Sequence, residues 1–155
     1  TQDALWEALN DDRLDVIATD HAPHLLSEKK PPYEQAHSGL PLVQHSLPLM
    51  LHYCKEGKIS IENIARKMSH AMADCFCIKE RGYIREGYFA DLVLVNLDKP
   101  NLVSKENLRY KCGWSPLEGF LLPATVEKTF VNGNLVYENG LLNESYKGQR
   151  LLFNR

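Results

Sequence analysis

The sequence contains no long run of apolar residues and no excess of charge of one sign. Its longest apolar candidate, around residues 47–51, is interrupted by Pro48 and followed by His52, and a membrane helix needs about 18 residues. The net charge of −2 provides no electrostatic basis for binding nucleic acid or an anionic membrane. We therefore expect neither a membrane nor a nucleic acid as a partner.

A cysteine cluster is also lacking, and we expect no secretory signal. Cys75 and Cys77 are close together, but the four cysteines include no second close pair that would complete a zinc cluster. The first residues show no basic region followed by an apolar core. We expect free thiols in a reducing cytoplasm. The content of 44% apolar and 25% charged residues is average for a globular protein.

The first half of the chain has helical periodicity around one short apolar segment. Helices are predicted over residues 1–10, 42–54, 61–68 and 70–76, the third capped by Ser60. Residues 14–19 are apolar or β-forming except for Asp15, and such a run is typical of a strand buried on both faces of a parallel sheet. Between them lies a long polar connection, residues 20–40, and loops of this length are usually functional.

The second half has β-like patterns. Strands are predicted over residues 90–96, 125–131 and 134–137, and Asn132-Gly133 is a strong signal for a two-residue hairpin turn. We therefore divide the chain into an α/β segment, residues 1–80, and a β module, residues 81–155.

The most informative residues follow the apolar segment. Asp20 comes at its end, the position where functional side chains gather in parallel α/β barrels, and a carboxylate there can hold a metal or accept a proton. The alternative is a simple turn cap. His21 is interpreted as a metal ligand or as support for Asp20. Pro23 stiffens the loop that carries His24, which either faces a substrate anion or metal, or is a solvated loop histidine.

Ser38 and Gly39 close the long connection. Glycine permits a close backbone approach, so the amides there could bind a carboxylate or carbonyl oxygen. The alternative is an ordinary turn before the next helix. His45 and His52 are interpreted as packing residues. Trp114 is expected to pack the β module against the helices rather than to bind a ligand.

These segments resemble a known family. Residues 16–24, followed by Ser27-Glu28-Lys29, closely resemble the last barrel strand of the dihydroorotases, in the cyclic amidohydrolase superfamily. Residues 87–95, 111–119 and 129–137 resemble, in the same order, elements of the small β-sandwich domain of that family. His24 is the discriminating residue, because hydantoinase-like and allantoinase-like relatives carry a different residue there.

The resemblance implies a fold and a set of roles. The fold is α/β, the C-terminal part of a TIM-like (β/α)8 barrel followed by part of a small β-sandwich. Asp20 would ligate zinc, in a binuclear centre, and act as general base. His24 would bind the substrate carboxylate, and Ser38 and Gly39 would hold the substrate. The implied reaction is the reversible closure of N-carbamoyl-aspartate to dihydroorotate in pyrimidine biosynthesis.

The sequence also departs from the family. The metal site of the family needs a His-x-His pair, a carbamylated lysine and two further histidines, and the chain has no His-x-His. Residues 40–44 read Leu-Pro-Leu-Val-Gln, where many relatives have a second glycine and a Leu-Glu pair. The resemblance therefore implies the last third of a cytoplasmic, homo-oligomeric enzyme, inactive by itself. The alternatives are another cyclic amidohydrolase, acting on a hydantoin or ureide, or a non-catalytic remnant.

Overall fold

The computed structural model describes residues 1–154, which fold into helices followed by a mainly antiparallel β module. The helices are α1 (Gln2–Asn10), α2 (Ser46–Lys55), α3 (Ile61–Ala65) and α4 (Ala71–Cys75), with 3₁₀ turns at Leu26–Lys29 and Lys105–Asn107 and a π turn at Arg66–His70. The strands are β1 (Leu92–Asn96), β2 (Asn101–Leu102), β3 (Leu121–Leu122), β4 (Thr125–Val131), β5 (Asn134–Glu138) and β6 (Leu141–Leu142).

The helices lie in the regions that the sequence pattern predicts, but their ends and the connection between α3 and α4 differ from the prediction. The two helices predicted over 61–68 and 70–76 are one continuous helical run, because the π turn at Arg66–His70 joins α3 to α4. Ser60 caps the run as predicted, since its Oγ accepts the backbone N–H of Asn63 at 3.1 Å. The preceding helix, α2, begins at Ser46 rather than residue 42, because the His45 N–H bonds to Leu42 O at 3.0 Å in a separate turn.

The apolar segment over residues 14–19 does not form a strand within residues 1–154. A strand requires a ladder of hydrogen bonds to a neighbouring strand. Here Ile17 N–H bonds to Lys67 O at 3.2 Å, and beyond the segment His21 makes one isolated parallel bridge to Leu40. The segment is apolar enough for a buried strand, but the described part of the chain provides no strand beside it.

The β module follows the prediction closely. β1, β4, β5 and β6 form an antiparallel sheet in that order, and β2 pairs separately with β3. Asn132 and Gly133 form the β4–β5 turn with φ of 51° and 81°, the left-handed values that a type I′ hairpin turn needs. The hairpin predicted from Asn-Gly is therefore confirmed.

A buried arginine connects this hairpin to the start of β1. Arg81, 8% exposed, pairs with Asp91 and donates through Nη2 to Asn132 Oδ1 at 2.6 Å. Asp91 also accepts the backbone N–H of Asn132 at 2.8 Å. The Arg81 guanidinium lies over the Phe89 ring, 4.1 Å from its centroid. The chain entering the sheet is therefore fixed by charge as well as by the strand ladder.

The hydrophobic core is small and joins the helices to the sheet. Its buried members are Leu9, Met50, Leu51, Ile59, Ile64 and Ala124. The described residues expose 10583 Å² of surface, whereas a compact monomer of 17.7 kDa exposes about 8,000 Å². Large apolar side chains contribute to this surface, among them Ile84 at 89% and Leu141 at 76% exposure. The division at residues 80 and 81 stays a prediction.

Candidate active site

Asp20 ends the apolar segment as an exposed residue in an uncommon backbone conformation. Its φ is 46°, a left-handed value that aspartate tolerates better than most residues. Among residues 1–154, no side chain or backbone group hydrogen-bonds the Asp20 carboxylate. The carboxylate is therefore free to accept a proton or to contribute one ligand to a metal.

His21 makes a contact that the sequence did not indicate, and its two interpreted roles stay predictions. Its Nδ1 accepts the backbone N–H of Leu42 at 3.1 Å and that of Val43 at 3.4 Å. The imidazole thus attaches the end of the apolar segment to the turn before α2. It makes no hydrogen bond with Asp20 within the described residues.

Gly39 brings the second predicted substrate-binding segment beside the first. Its φ is 90°, and a Cβ there would lie 2.4 Å from the Cβ of Ala22. The next residue, Leu40, accepts the Ala22 N–H at 3.2 Å and completes the bridge to His21. Only glycine permits this approach. Ser38 and Gly39 therefore lie next to the segment that runs from Asp20 to His24.

His24 is half-buried and is held by contacts on several sides. Its ring stacks on that of His37, with centroids 4.7 Å apart and planes inclined by 12°. Its Nδ1 lies 3.7 Å from Glu28 Oε2. Its backbone carbonyl accepts the indole N–H of Trp114 at 2.8 Å. The Trp114 contact joins residues 90 positions apart, and no local sequence pattern signals it.

Lys29 closes the connection that carries these residues. Its ammonium group donates to the carbonyl oxygens of His37 and Gly39, the latter at 2.7 Å. The 3₁₀ turn containing Lys29 is itself fixed, because Glu28 Oε2 accepts the backbone N–H of Leu25 at 2.7 Å. The long polar connection is therefore internally braced.

Gln44 joins this connection to the second half of the chain. Its Nε2 donates to Asn107 O at 2.9 Å, its Oε1 accepts the Arg109 N–H at 2.7 Å, and its own N–H donates to Tyr110 Oη at 3.0 Å. Glutamate would retain the acceptor but lose the amide donor that serves Asn107. Gln44, which departs from the Leu-Glu pair of many relatives, therefore makes a hydrogen bond that glutamate could not donate.

His45 is a packing residue, as predicted, and carries an unsatisfied nitrogen. It is 2% exposed, and its Nδ1 lies 3.2 Å from Tyr110 Oη. Within residues 1–154, Nε2 is buried without a hydrogen-bond partner. Burial lowers the pKa of His45 because the charged imidazolium would lose its hydration.

The described residues do not by themselves fit a metal centre. Across residues 1–154, no group of three or more histidine, cysteine, aspartate or glutamate side chains is placed to hold a metal ion. Asp20 supplies one carboxylate, and catalytic zinc sites use at least three protein ligands. A metal at Asp20 would need ligands from beyond these residues. Separately, no helix in the described part of the chain is long and apolar enough to cross a bilayer.

The fold and sequence define the class of protein to which the chain belongs. The model of the amidohydrolase family matches residues 1–136, so the chain belongs to this family. L-Hydantoinase from Arthrobacter aurescens superposes with a TM-score of 0.83 at 28% identity, covering 90% of this chain and 32% of that one. D-Hydantoinase from a Thermus species gives 0.86 at 24% identity, covering 92% and 32%. The expected fold class, an α/β part of an amidohydrolase barrel, is confirmed.

Curated dihydroorotases are similar over most of the chain, which confirms the resemblance. The dihydroorotase of Halobacterium salinarum is 39% identical over 139 residues, 88% of this chain and 32% of the relative. That of Pyrococcus furiosus is 33% identical over 149 residues, 96% of this chain and 34% of the relative. The chain thus spans about a third of the length of the curated relatives that it matches.

Proposed function

We propose that the chain is one part of a zinc-dependent cyclic amidohydrolase that interconverts N-carbamoyl-L-aspartate and L-dihydroorotate in pyrimidine biosynthesis. It contributes Asp20, His24, Ser38 and Gly39, and the remaining metal ligands come from outside these 155 residues. The 155-residue chain alone is inactive. The complete enzyme works in the cytoplasm as a homo-oligomer.

One observation supports the proposal above the others. The two segments to which the resemblance assigns site residues, residues 20–24 and 38–39, lie against each other through the contact of Gly39 with Ala22. The residues that carry a carboxylate, Asp20, and an imidazole, His24, therefore lie on a segment that packs against the turn containing Ser38 and Gly39. This set of groups suits a cyclic amide that also carries a carboxylate.

The chemistry follows from the exposure of these groups. In the hydrolytic direction, water adds to a ring carbonyl carbon, the carbon–nitrogen bond breaks and the nitrogen gains a proton. Asp20, with its carboxylate free, accepts the proton from the attacking water and delivers it to the departing nitrogen. His24 binds the carboxylate that the ring carries. Ser38 and Gly39 present their backbone N–H groups to the ring oxygens, while the Gly39 carbonyl accepts from Lys29 at 2.7 Å.

The uncovered surface is consistent with a chain that works inside a larger assembly. The exposed apolar residues lie on several faces, and they include Leu94 of β1, 47% exposed, at the unpaired edge of the main sheet. Such an edge accepts a further strand readily. In the complete enzyme the rest of the barrel and sandwich would cover these faces.

A second candidate is a hydantoinase or dihydropyrimidinase activity, because the solved structures that superpose on the chain have those names. Their identity of 24–28% is below the 33–39% of the dihydroorotases. His24 also favours dihydroorotate, since hydantoin has no carboxylate for it to bind.

The test is a substrate comparison on the complete protein that contains this chain, purified with its metal content measured. We expect turnover of dihydroorotate and N-carbamoyl-L-aspartate, bound zinc, and little turnover of hydantoin or dihydrouracil. Hydantoin turnover without dihydroorotate turnover would assign the second candidate. The separate 155-residue chain is the matched control, and activity there would contradict the need for outside ligands.

A further inference from the structure

His24 is held at two points by residues for which the proposed function provides no role. We propose that Trp114 and His37 are positioning residues for His24, with Trp114 fixing its backbone and His37 fixing the plane of its ring. The inference rests on the proposed function in one respect, which is that His24 binds the substrate carboxylate.

The backbone contact comes from a rigid support. Trp114 directly precedes a turn in which the Ser115 N–H donates to Glu118 Oε1 at 3.2 Å and the Leu117 N–H donates to Ser115 Oγ at 3.2 Å. Ser115 is 5% exposed. The indole of Trp114 has one polar hydrogen, and His24 O accepts it at 2.8 Å. That donor is therefore unavailable to a ligand, and its effect on binding passes through His24.

The stack on His37 leaves the ring nitrogens of His24 available for hydrogen bonds. A stack with 4.7 Å between centroids and a 12° inclination fixes the ring plane but does not occupy the nitrogens, which lie at the ring edge. Nδ1 faces Glu28 Oε2 at 3.7 Å, and no described residue within 1–154 hydrogen-bonds Nε2. Nε2 is thus the atom left to meet a substrate carboxylate.

The stacking partner is itself fixed. His37 O accepts from the Lys29 ammonium group, and the same group donates to Gly39 O at 2.7 Å. One lysine therefore holds the backbone of His37, whose ring stacks on His24, and the backbone predicted to face the substrate. His24 is thus linked to Gly39 through the His37 ring stack and the two Lys29 hydrogen bonds.

The kinetic experiment uses the complete metal-loaded protein with variants Trp114→Phe, His37→Ala and His37→Phe. We expect Trp114→Phe to raise KM for dihydroorotate about fivefold, the effect of losing one neutral hydrogen bond, with kcat almost unchanged. His37→Ala should raise KM by a similar factor, and His37→Phe, which retains a flat ring, should restore it. The matched controls are Trp6→Phe, from the Trp6–Tyr53 pair, and His70→Ala, from the His70–Tyr83 stack.

A second measurement separates this inference from the proposed function. In protein labelled with ¹³C-histidine, the ring signals of His24 should move in Trp114→Phe and His37→Ala and stay in place in the two controls. If dihydroorotate is not a substrate but these signals move, the proposed function fails and the positioning role stands. Unmoved His24 signals, an unchanged KM, or His37→Phe as impaired as His37→Ala would overturn the inference.

Discussion

The imidazole of His21 accepts the backbone N–H of Leu42 through Nδ1 at 3.1 Å. Because Nδ1 is the acceptor, the ring hydrogen of neutral His21 lies on Nε2. A side chain that immediately follows Asp20 thus fixes a turn 21 residues further along. With the bridge between His21 and Leu40, it sets how closely the segment containing Gly39 approaches Asp20.

The closest part of that approach can be tested at Gly39. Gly39→Ala adds a Cβ that would lie 2.4 Å from the Cβ of Ala22, at a φ of 90°, so residues 38–40 must move away. We expect KM for dihydroorotate to rise at least about tenfold in the complete enzyme, because displaced binding groups each lose about 1 kcal/mol or more. Steady-state kinetics measure the change.

Gly57→Ala is the control for backbone strain alone. Gly57 has a φ of 73°, but a Cβ there meets nothing within 4 Å. It should lower the free energy of unfolding by about 1 kcal/mol and leave KM as it is. Equal kinetic effects of the two substitutions would contradict the role of the Ala22 contact.

Asp20 and His24 should have separable kinetic effects. Asp20→Asn retains the shape of the side chain but cannot accept the proton, so kcat should fall about 10²- to 10⁴-fold, the usual contribution of a general base. His24→Ala should raise KM about tenfold to a hundredfold, because a hydrogen bond to a charged group is lost, with kcat little changed. Near-normal turnover by Asp20→Asn would exclude Asp20 as the base.

The ion pair between Arg81 and Asp91 should respond asymmetrically to removal of its partners. The side chain of Arg81 is 9% exposed and that of Asp91 is 34% exposed. Asp91→Ala leaves a buried guanidinium without its carboxylate and should lower the free energy of unfolding by about 3 kcal/mol. Arg81→Met leaves a carboxylate that water can reach and should cost less.

Urea unfolding of each variant measures this difference. Glu138→Ala is the control, because its 2.7 Å pair with Lys128 is exposed on both sides at 38% and 44%, and such pairs contribute less than about 1 kcal/mol. A larger loss in Arg81→Met than in Asp91→Ala would contradict the assignment of Arg81 as the desolvated partner.

His45 should make stability depend on pH on the acid side of neutrality. Burial lowers the pKa of His45 below its ordinary value of 6.5, so the unfolded chain binds a proton there before the folded chain does. Stability is therefore fully present above about pH 6.5 and falls as the pH drops below it. In His45→Gln, this part of the dependence of the free energy of unfolding on pH should disappear. Urea unfolding between pH 7 and pH 5 measures the slope, and an unchanged slope in the variant would contradict the role of His45.

The sequence predicts a structural feature correctly when the residues that determine the feature are close together in the chain. The Asn132-Gly133 turn was predictable because both left-handed residues are adjacent, and the Ser60 cap because its partner Asn63 is three residues away. The segment over residues 14–19 was not, since its apolar pattern specifies a buried environment and cannot specify which strands lie beside it. The π turn at Arg66–His70 shifts helical register without any break in composition.

The residues of the candidate site also differ in how far the sequence predicts them. Asp20 and His24 could be nominated from their position after an apolar segment and from family resemblance. Gly39 could be nominated from its place at the end of the long connection and from the same resemblance, and all three roles stay predictions. His37 was visible only as part of a turn. The sequence assigned Trp114 to packing and did not reveal its contact with His24. That contact could not be predicted, because the Trp114 indole donates to the backbone of a residue far away in the sequence. Every residue type has a backbone carbonyl, so the identity of a residue does not show whether its carbonyl accepts a hydrogen bond.

The hydrogen bond from Trp114 to His24 also constrains when the site can form as the chain leaves the ribosome. The two residues are 90 positions apart, and synthesis proceeds at about 5–20 residues per second, so His24 emerges roughly 5–20 s before its anchor. During that interval, the connection that carries His24 lacks the hydrogen bond from Trp114. Completion of the site therefore follows the synthesis of Trp114, well after the nominated catalytic aspartate has emerged.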